Sequence, residues 1–237
     1  MPELVTLGET MVVFDSVSNG PLRYASNYTC HTGGAETTVA VGVVRQGHTA
    51  GWISSLGNDE FGMLIRRTFM GEGVDLSQVT YSDVHPTGIF FRQAAGSGEF
   101  RNFYYRKNSA ASVMTPEMLD EAYIASAKIL HITGITLAVS RQAAQTAVRA
   151  MEIAKEHGVT VCFDPNLRLK MWTLEEARES IHELWPLVDI ALPGVEEGEQ
   201  LFGESDPDKI AERIQRYGVK TVIVKTGAAG AIGYERG

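Results

Sequence analysis

Short apolar runs, too short for helices, alternate with longer stretches of helical spacing through most of these 237 residues, and that alternation limits the folds open to the chain. Leu4 to Leu7, Trp52 to Ser55, Ile129 to Thr133, Thr160 to Phe163, Val188 to Leu192 and Thr221 to Lys225 read as buried parallel strands. Between them Phe61, Leu64, Ile65 and Phe69 recur at helical spacing, as do Ala144, Ala147, Val148, Met151 and Ala154 before Gly158. Parallel strands need long crossovers, so the pattern predicts an α/β fold with a doubly wound sheet flanked by helices. Ligands in such sheets sit beyond the carboxyl ends of the strands, and residues that follow a strand are therefore the site candidates.

Two stretches, 9–32 and 85–107, break the rhythm: strand-like pieces follow one another with no helix long enough for a crossover. The second reads Thr87-Gly-Ile-Phe-Phe-Arg-Gln, a turn at Ala95 to Gly98, then Phe100-Arg-Asn-Phe-Tyr-Tyr-Arg, a hairpin signature. Both are read as insertions forming a small β-sheet lid on a single domain spanning 1–237.

Composition closes other routes. With 44% hydrophobic residues the chain can bury a full core, and 29 acidic against 21 basic residues give a net charge of -8. That charge disfavours a nucleic-acid backbone or an anionic membrane as partner, and a small anion would need locally placed cations. Cys30 and Cys162 are far apart and outside any metal-ligand spacing, and the six histidines show none either, so no metal site is expected. The N-terminal residues lack a basic region followed by an apolar stretch, and charges interrupt every apolar run; a cytoplasmic protein without membrane insertion is the expectation.

Four motifs fall where such a sheet presents ligands. Gly33-Gly34-Ala35-Glu36 opens a helix and lets a ligand approach backbone N–H groups, although a tight turn into a helix explains it equally. Tyr104 and Arg106 share one face at the end of the hairpin, a hydroxyl beside a guanidinium suited to a sugar carboxylate, or else an edge strand protected by charge. Asp164-Pro165-Asn166-Leu167-Arg168 follows a strand, with Asn166 and Arg168 able to hold phosphate or carboxylate, or else a simple turn. Lys225 to Gly230 forms a Gly-containing crossing without a Walker A ending, and a plain connection is its alternative. Gly57-Asn58-Asp59-Glu60-Phe61-Gly62 is explained by capping alone, through Asn58 or Asp59.

Read together with Gly8-Glu9 and Thr133-Gly134-Ile135-Thr136, these motifs resemble, in order and spacing, the ribokinase-type (PfkB-type) carbohydrate kinases along the whole chain. The Tyr-Tyr-Arg-Lys-Asn-Ser-Ala and Thr-Gly-Ile-Thr-Leu-Ala-Val-Ser runs resemble the 2-keto-3-deoxygluconate kinase branch. The resemblance implies a ribokinase-like fold with a β lid and transfer of phosphate from ATP, with Mg2+, to the 6-hydroxyl of 2-keto-3-deoxygluconate in Entner-Doudoroff type catabolism. It implies substrate contacts at Gly33, Gly34, Phe90, Tyr104, Arg106 and Arg168, and nucleotide contacts at Asn166, Arg168, Lys225, Gly227 and Gly230. A homo-oligomer paired through lid edges is expected.

Three departures stand out. Thr38 occupies a position where the family often has Asn, and Phe90 one where Tyr is common, so a sugar hydroxyl contact is lost or rerouted. The family's catalytic Asp stands in a Gly-Ala-Gly-Asp segment absent from these residues; the expectation is a base beyond Gly237 and a 237-residue chain that is catalytically incomplete alone. Other readings remain: a fructokinase, a 2-keto-3-deoxygalactonate kinase, or a non-catalytic sugar or nucleotide sensor. A dinucleotide oxidoreductase is disfavoured because no GxGxxG follows the first strand.

Overall fold

The computed structural model describes residues 1–94 and 100–236, so the expected turn at Ala95 to Gly98 lies outside the described residues. Along the chain run β1 (Leu4–Leu7), β2 (Met11–Asn19), β3 (Tyr28–Gly33), α1 (Ala35–Arg45), β4 (Ala50–Gly57), α2 (Glu60–Gly71), β5 (Val79–Ser82), β6 (Ile89–Ala94) and β7 (Phe100–Tyr105). After these come α3 (Glu121–Ala125), β8 (Ile129–Thr133), α4 (Gly134–Val139), α5 (Arg141–Glu156), β9 (Thr160–Asp164), α6 (Leu174–Leu184), β10 (Ile190–Ala191), α7 (Val195–Phe202), α8 (Pro207–Gln215), β11 (Thr221–Lys225) and β12 (Ala231–Glu235). They gather into two compact units, Met1–Leu7 with Thr115–Gly237, and Gly8–Met114.

The first unit is a sheet in the order β12-β11-β10-β9-β8-β1, parallel except for β12. Alternation gives its strands one wholly buried face: Val5, Leu7, Leu130, Ile132, Val161, Phe163, Ala191, Val222 and Val224 are all without exposure. Against it lies α5, whose core-facing residues are mostly small: Ala143, Ala147, Ala150 and Ala154, with Met151. The Ser140 side chain accepts from Ala143 N–H to start that helix, and Gly158 at φ 70 stops it. The sequence expected Val188 to Leu192 as a strand; only Ile190–Ala191 pairs as a strand, between a 3-10 turn at Trp185–Leu187 that carries the chain in and Pro193, which has no N–H, two residues after it.

In the second unit β4 and β5 pair in parallel across α2, and the strand is anchored at Gly8, whose carbonyl accepts from Trp52 Nε1 at 3.0 Å and Ser54 Oγ at 2.8 Å. The expected excursions supply a separate four-stranded sheet in the order β3-β2-β6-β7, with β2 and β6 parallel and the other pairs antiparallel. One of its faces carries an aromatic cluster in which Phe14 stacks on Phe91 at 5.1 Å and meets Phe61 of α2 edge-on at 5.7 Å. Asp59, not Asn58, caps α2: it accepts from Gly62 N–H at 2.8 Å and, through its other oxygen, from Thr87 N–H at 2.8 Å. Burial works against the charged form of Asp59, but these N–H donors outweigh it and hold the carboxyl below the usual carboxylate range. Asn58 Nδ2 donates to Asp83 instead.

His131 on β8 is 2% exposed, and burial, helped by the positive charge of Lys225, lowers its pKa to about 4. A folded value below the ordinary 6.5 means that the unfolded chain takes up the proton first. Its contribution is therefore fully present above pH 6.5 and is lost as pH falls toward 4. Urea denaturation at pH 7 and pH 5 should show wild type losing about 2 kcal/mol more than His131→Leu over that interval.

Candidate functional site

Most candidate residues stand at or shortly after the end of a strand, with Phe90 near the start of β6, and each unit holds its own group. In the second unit Gly33 closes β3 and Gly34 precedes α1. A Cβ at Gly34 would collide with the hydroxyls of Thr10 and Thr37, which hydrogen-bond each other at 2.9 Å, so a bare backbone is required there. A groove of about 370 Å³ opens beside it, lined by Thr32, Gly34, Thr37, Thr38, Arg45 and Glu72 among others. Thr38 Oγ1 donates to Gly34 O at 2.6 Å, the hydrogen bond of a hydroxyl turned back on its own helix.

On the four-stranded sheet Phe90 and Tyr104 are register partners, and their rings lie 5.1 Å apart. Arg106 follows on the same face, with its guanidinium carbon 6.0 Å from the Tyr104 ring centroid. Its side chain is only 13% exposed and is ion-paired to Glu9, which Arg106 Nε reaches at 2.7 Å. Tyr105 points the other way and meets Phe91 edge-on at 5.8 Å, the alternation expected from the sequence. Glu9 was noted in the sequence only as a residue after the first strand. Its partnership with Arg106, 97 positions away, has no local signature.

In the first unit the loop after β9 and the turn after β11 come together. Lys225 Nζ lies 2.7 Å from Asp164 Oδ1 and 3.7 Å from Glu197 Oε2. Asp164 also accepts from Asn166 N–H at 3.1 Å, closing an Asx turn in which Asn166 takes φ 39. Glu197 secures the same loop from α7, accepting from Leu167 N–H at 2.9 Å and Gly194 N–H at 2.6 Å. Glu197 was missed by the sequence reading; in sequence it is an ordinary first-turn glutamate, and only the fold aims it at Lys225. Arg168 is exposed, and its Nη1 donates to Leu167 O at 3.0 Å. Gly227 and Gly230 bracket a 3-10 turn at φ 63 and φ 101, each with open space where a Cβ would stand. Asn166, Lys225 and the Gly227–Gly230 turn thus share one strand edge, whereas Gly33, Gly34, Phe90, Tyr104 and Arg106 belong to the other unit.

Among the described residues no group of three or more His, Cys, Asp or Glu side chains could hold a metal ion, and no helix is long and apolar enough to cross a membrane. Cys162 is half-buried beside Asp164, and its thiol is pushed up to about 12, first by burial and then by that charge, which keeps it protonated. The tightest contact at the site is backbone on backbone: a Cβ at Gly134, the first residue of α4, would collide with the Pro165 carbonyl. Gly134→Ala is expected to displace the Asp164–Arg168 loop and cost about 1–3 kcal/mol, read as a lowered Tm in thermal denaturation.

The family model for pfkB family carbohydrate kinases matches residues 1–237. The chain is 37% identical over 231 residues to a 2-dehydro-3-deoxygluconokinase of Bacillus subtilis, covering 97% of this chain and 71% of that protein. It is 36% identical to the Thermoproteus tenax protein of the same name, covering 98% and 71%, and 32% identical to fructokinase-2 of Solanum lycopersicum, covering 98% and 72%. Among solved structures, a PfkB protein from Polaromonas sp. JS666 superposes with a TM-score of 0.95 at 38% identity over 98% of this chain and 79% of that one. A Ribokinase II from Escherichia coli, in complex with ATP and Mg2+, superposes with a TM-score of 0.90 at 28% identity, covering 99% and 76%. The fold is accordingly the ribokinase-like α/β arrangement with a four-stranded lid sheet.

Proposed function

The chain belongs to the pfkB family of carbohydrate kinases, and from that membership we propose that it transfers phosphate from ATP to the 6-hydroxyl of 2-keto-3-deoxygluconate, the compound also called 2-dehydro-3-deoxygluconate. The observation that carries the choice of substrate is Arg106, a largely buried cation beside the Phe90–Tyr104 pair on the lid sheet. A neutral ketose has no carboxylate to meet a guanidinium; a keto-deoxy sugar acid has one. The 2-dehydro-3-deoxygluconokinase relatives, at 36 and 37% identity against 32% for the fructokinase, lean the same way.

In this reading Gly33 and Gly34 bring backbone against the sugar, Phe90 and Tyr104 pack its carbon chain, and Arg106 holds the carboxylate. Arg168 meets the acid and the triphosphate. Asn166, Lys225, Gly227 and Gly230 receive the nucleotide. The open turn at Gly227 and Gly230 and the ammonium of Lys225 fit a phosphate-bearing ligand at that strand edge. Bound Mg2+ would neutralise charge on the phosphates and arrive with ATP. The residues of this chain then supply positioning and cations, the terms on which phosphoryl transfer depends most. No catalytic base is assigned among them.

Phosphorylation assays on the full gene product with Mg2+ and ATP, offering 2-keto-3-deoxygluconate, 2-keto-3-deoxygalactonate, fructose and ribose, test the proposal. The expected result is a kcat/KM for a keto-deoxy acid at least about tenfold above that for fructose. Preference for fructose would make this a fructokinase, and silence on all four would leave a binding protein.

A further inference from the structure

We infer that Asn102 is a positioning residue that keeps the Tyr104 hydroxyl a donor toward the substrate, an inference that rests on Tyr104 meeting the substrate as proposed above. The two side chains share a face of β7, two positions apart, and Asn102 Nδ2 donates to the Tyr104 hydroxyl oxygen at 3.1 Å. A phenol carries one O–H donor and accepts through its oxygen. With an amide N–H on that oxygen, the Tyr104 proton is not spent on Asn102 and is left for another acceptor. The Tyr104 ring rests on Phe90 at 5.1 Å, yet the residue stays 39% exposed, so a fixed ring remains open to a ligand.

Neighbouring groups hold the amide in place. Phe100, Asn102 and Tyr104 form one row along β7, and Arg92 of β6 is the register partner of Asn102. Arg92 is itself fixed: Nε and Nη2 donate to the two oxygens of Asp15 at 2.6 Å each, and its guanidinium carbon stands 4.5 Å from the Phe100 ring centroid.

The other end of the amide shows that packing alone does not account for it. Asn102 Oδ1 is buried and has no hydrogen-bond partner among the described residues. An acceptor left unpaired away from water costs stability, and leucine, close in size and without a polar atom, would remove that cost. What asparagine contributes here is therefore the N–H on Tyr104. The carboxylate and the keto oxygen of a keto-deoxy acid are acceptors only, so a tyrosine fixed as donor suits them.

Titration calorimetry with 2-keto-3-deoxygluconate on the full gene product, as wild type, Tyr104→Phe, Asn102→Leu and the double variant, separates orientation from packing. Tyr104→Phe should weaken binding about tenfold and Asn102→Leu about fivefold. Adding Asn102→Leu to Tyr104→Phe should change binding less than about twofold, because the hydroxyl through which Asn102 acts is already gone. In thermal denaturation Asn102→Leu should be at least as stable as wild type. Should that variant fail to fold, Asn102→Ala carries the same cycle. A loss from the Asn102 change that is as large without the Tyr104 hydroxyl as with it, or no loss where Tyr104→Phe has one, would overturn the inference. Tyr104→Phe binding as wild type does would instead overturn the contact of that hydroxyl with the substrate, on which the inference rests.

Discussion

Parallel pairing is the constraint from which the rest of the first unit follows. A parallel strand cannot return through a tight turn, so each must be followed by a long connection leaving from the same edge of the sheet. In β8 and β9 that edge is where Thr133 and Asp164 end their strands, and Lys225 ends parallel β11 at the same edge before a tight turn returns the chain as antiparallel β12. The polar residues are gathered there by topology before any specific contact forms. The buried face then fixes register, since a one-residue slip of β9 would exchange Val161 and Phe163 for Cys162 and Asp164.

Contacts that locate the loops are short and belong largely to backbone. Pro165 O against Gly134 sets the distance from β9 to α4, and the glutamate of α7 holds Leu167 and Gly194 by their N–H groups. One is a close steric approach and the other sets an acceptor against donors, both at fixed positions on rigid elements, a geometry that lets a flexible-looking Asp-Pro-Asn sequence hold one conformation. In the second unit Asp59 does comparable work, capping α2 with one oxygen and holding Thr87, just before the lid strand β6, with the other.

What the sequence made legible were features with a local signature. Strand runs ending at Leu7, Thr133 and Lys225 appear where expected: β1 and β8 are buried almost throughout, and β11 has Val222 and Val224 on its buried face. The lid strands were legible from alternation, and the opposite facing of Tyr104 and Tyr105 follows from the same period. Illegible were partnerships closed by tertiary structure. Glu9 with Arg106, and Glu197 with Lys225, join residues on different elements, and nothing near either glutamate distinguishes it from a solvated acid. The short β10 was overestimated because the 3-10 turn at Trp185–Leu187 delivers the chain only at Val188, and pairing as a strand is confined to Ile190–Ala191.

Those two partnerships bear on how an acidic chain accommodates anions. An unpaired cation buried in a protein is costly, and with a net charge of -8 the surrounding field does not favour anionic ligands from a distance. Arg106 and Lys225 are each held by a carboxylate, so neither must be desolvated alone. The compensation differs in degree. Glu9 is almost wholly buried and locked by Ser109, whereas Lys225 is 43% exposed and shared between two acids at unequal distance. Exposed pairs exchange partners at little cost, and buried, hydrogen-bonded ones do not. The lysine is therefore the cation whose partner can change, while the arginine keeps its carboxylate. Two cations in one chain thus take different parts, decided by the burial of the acids that hold them.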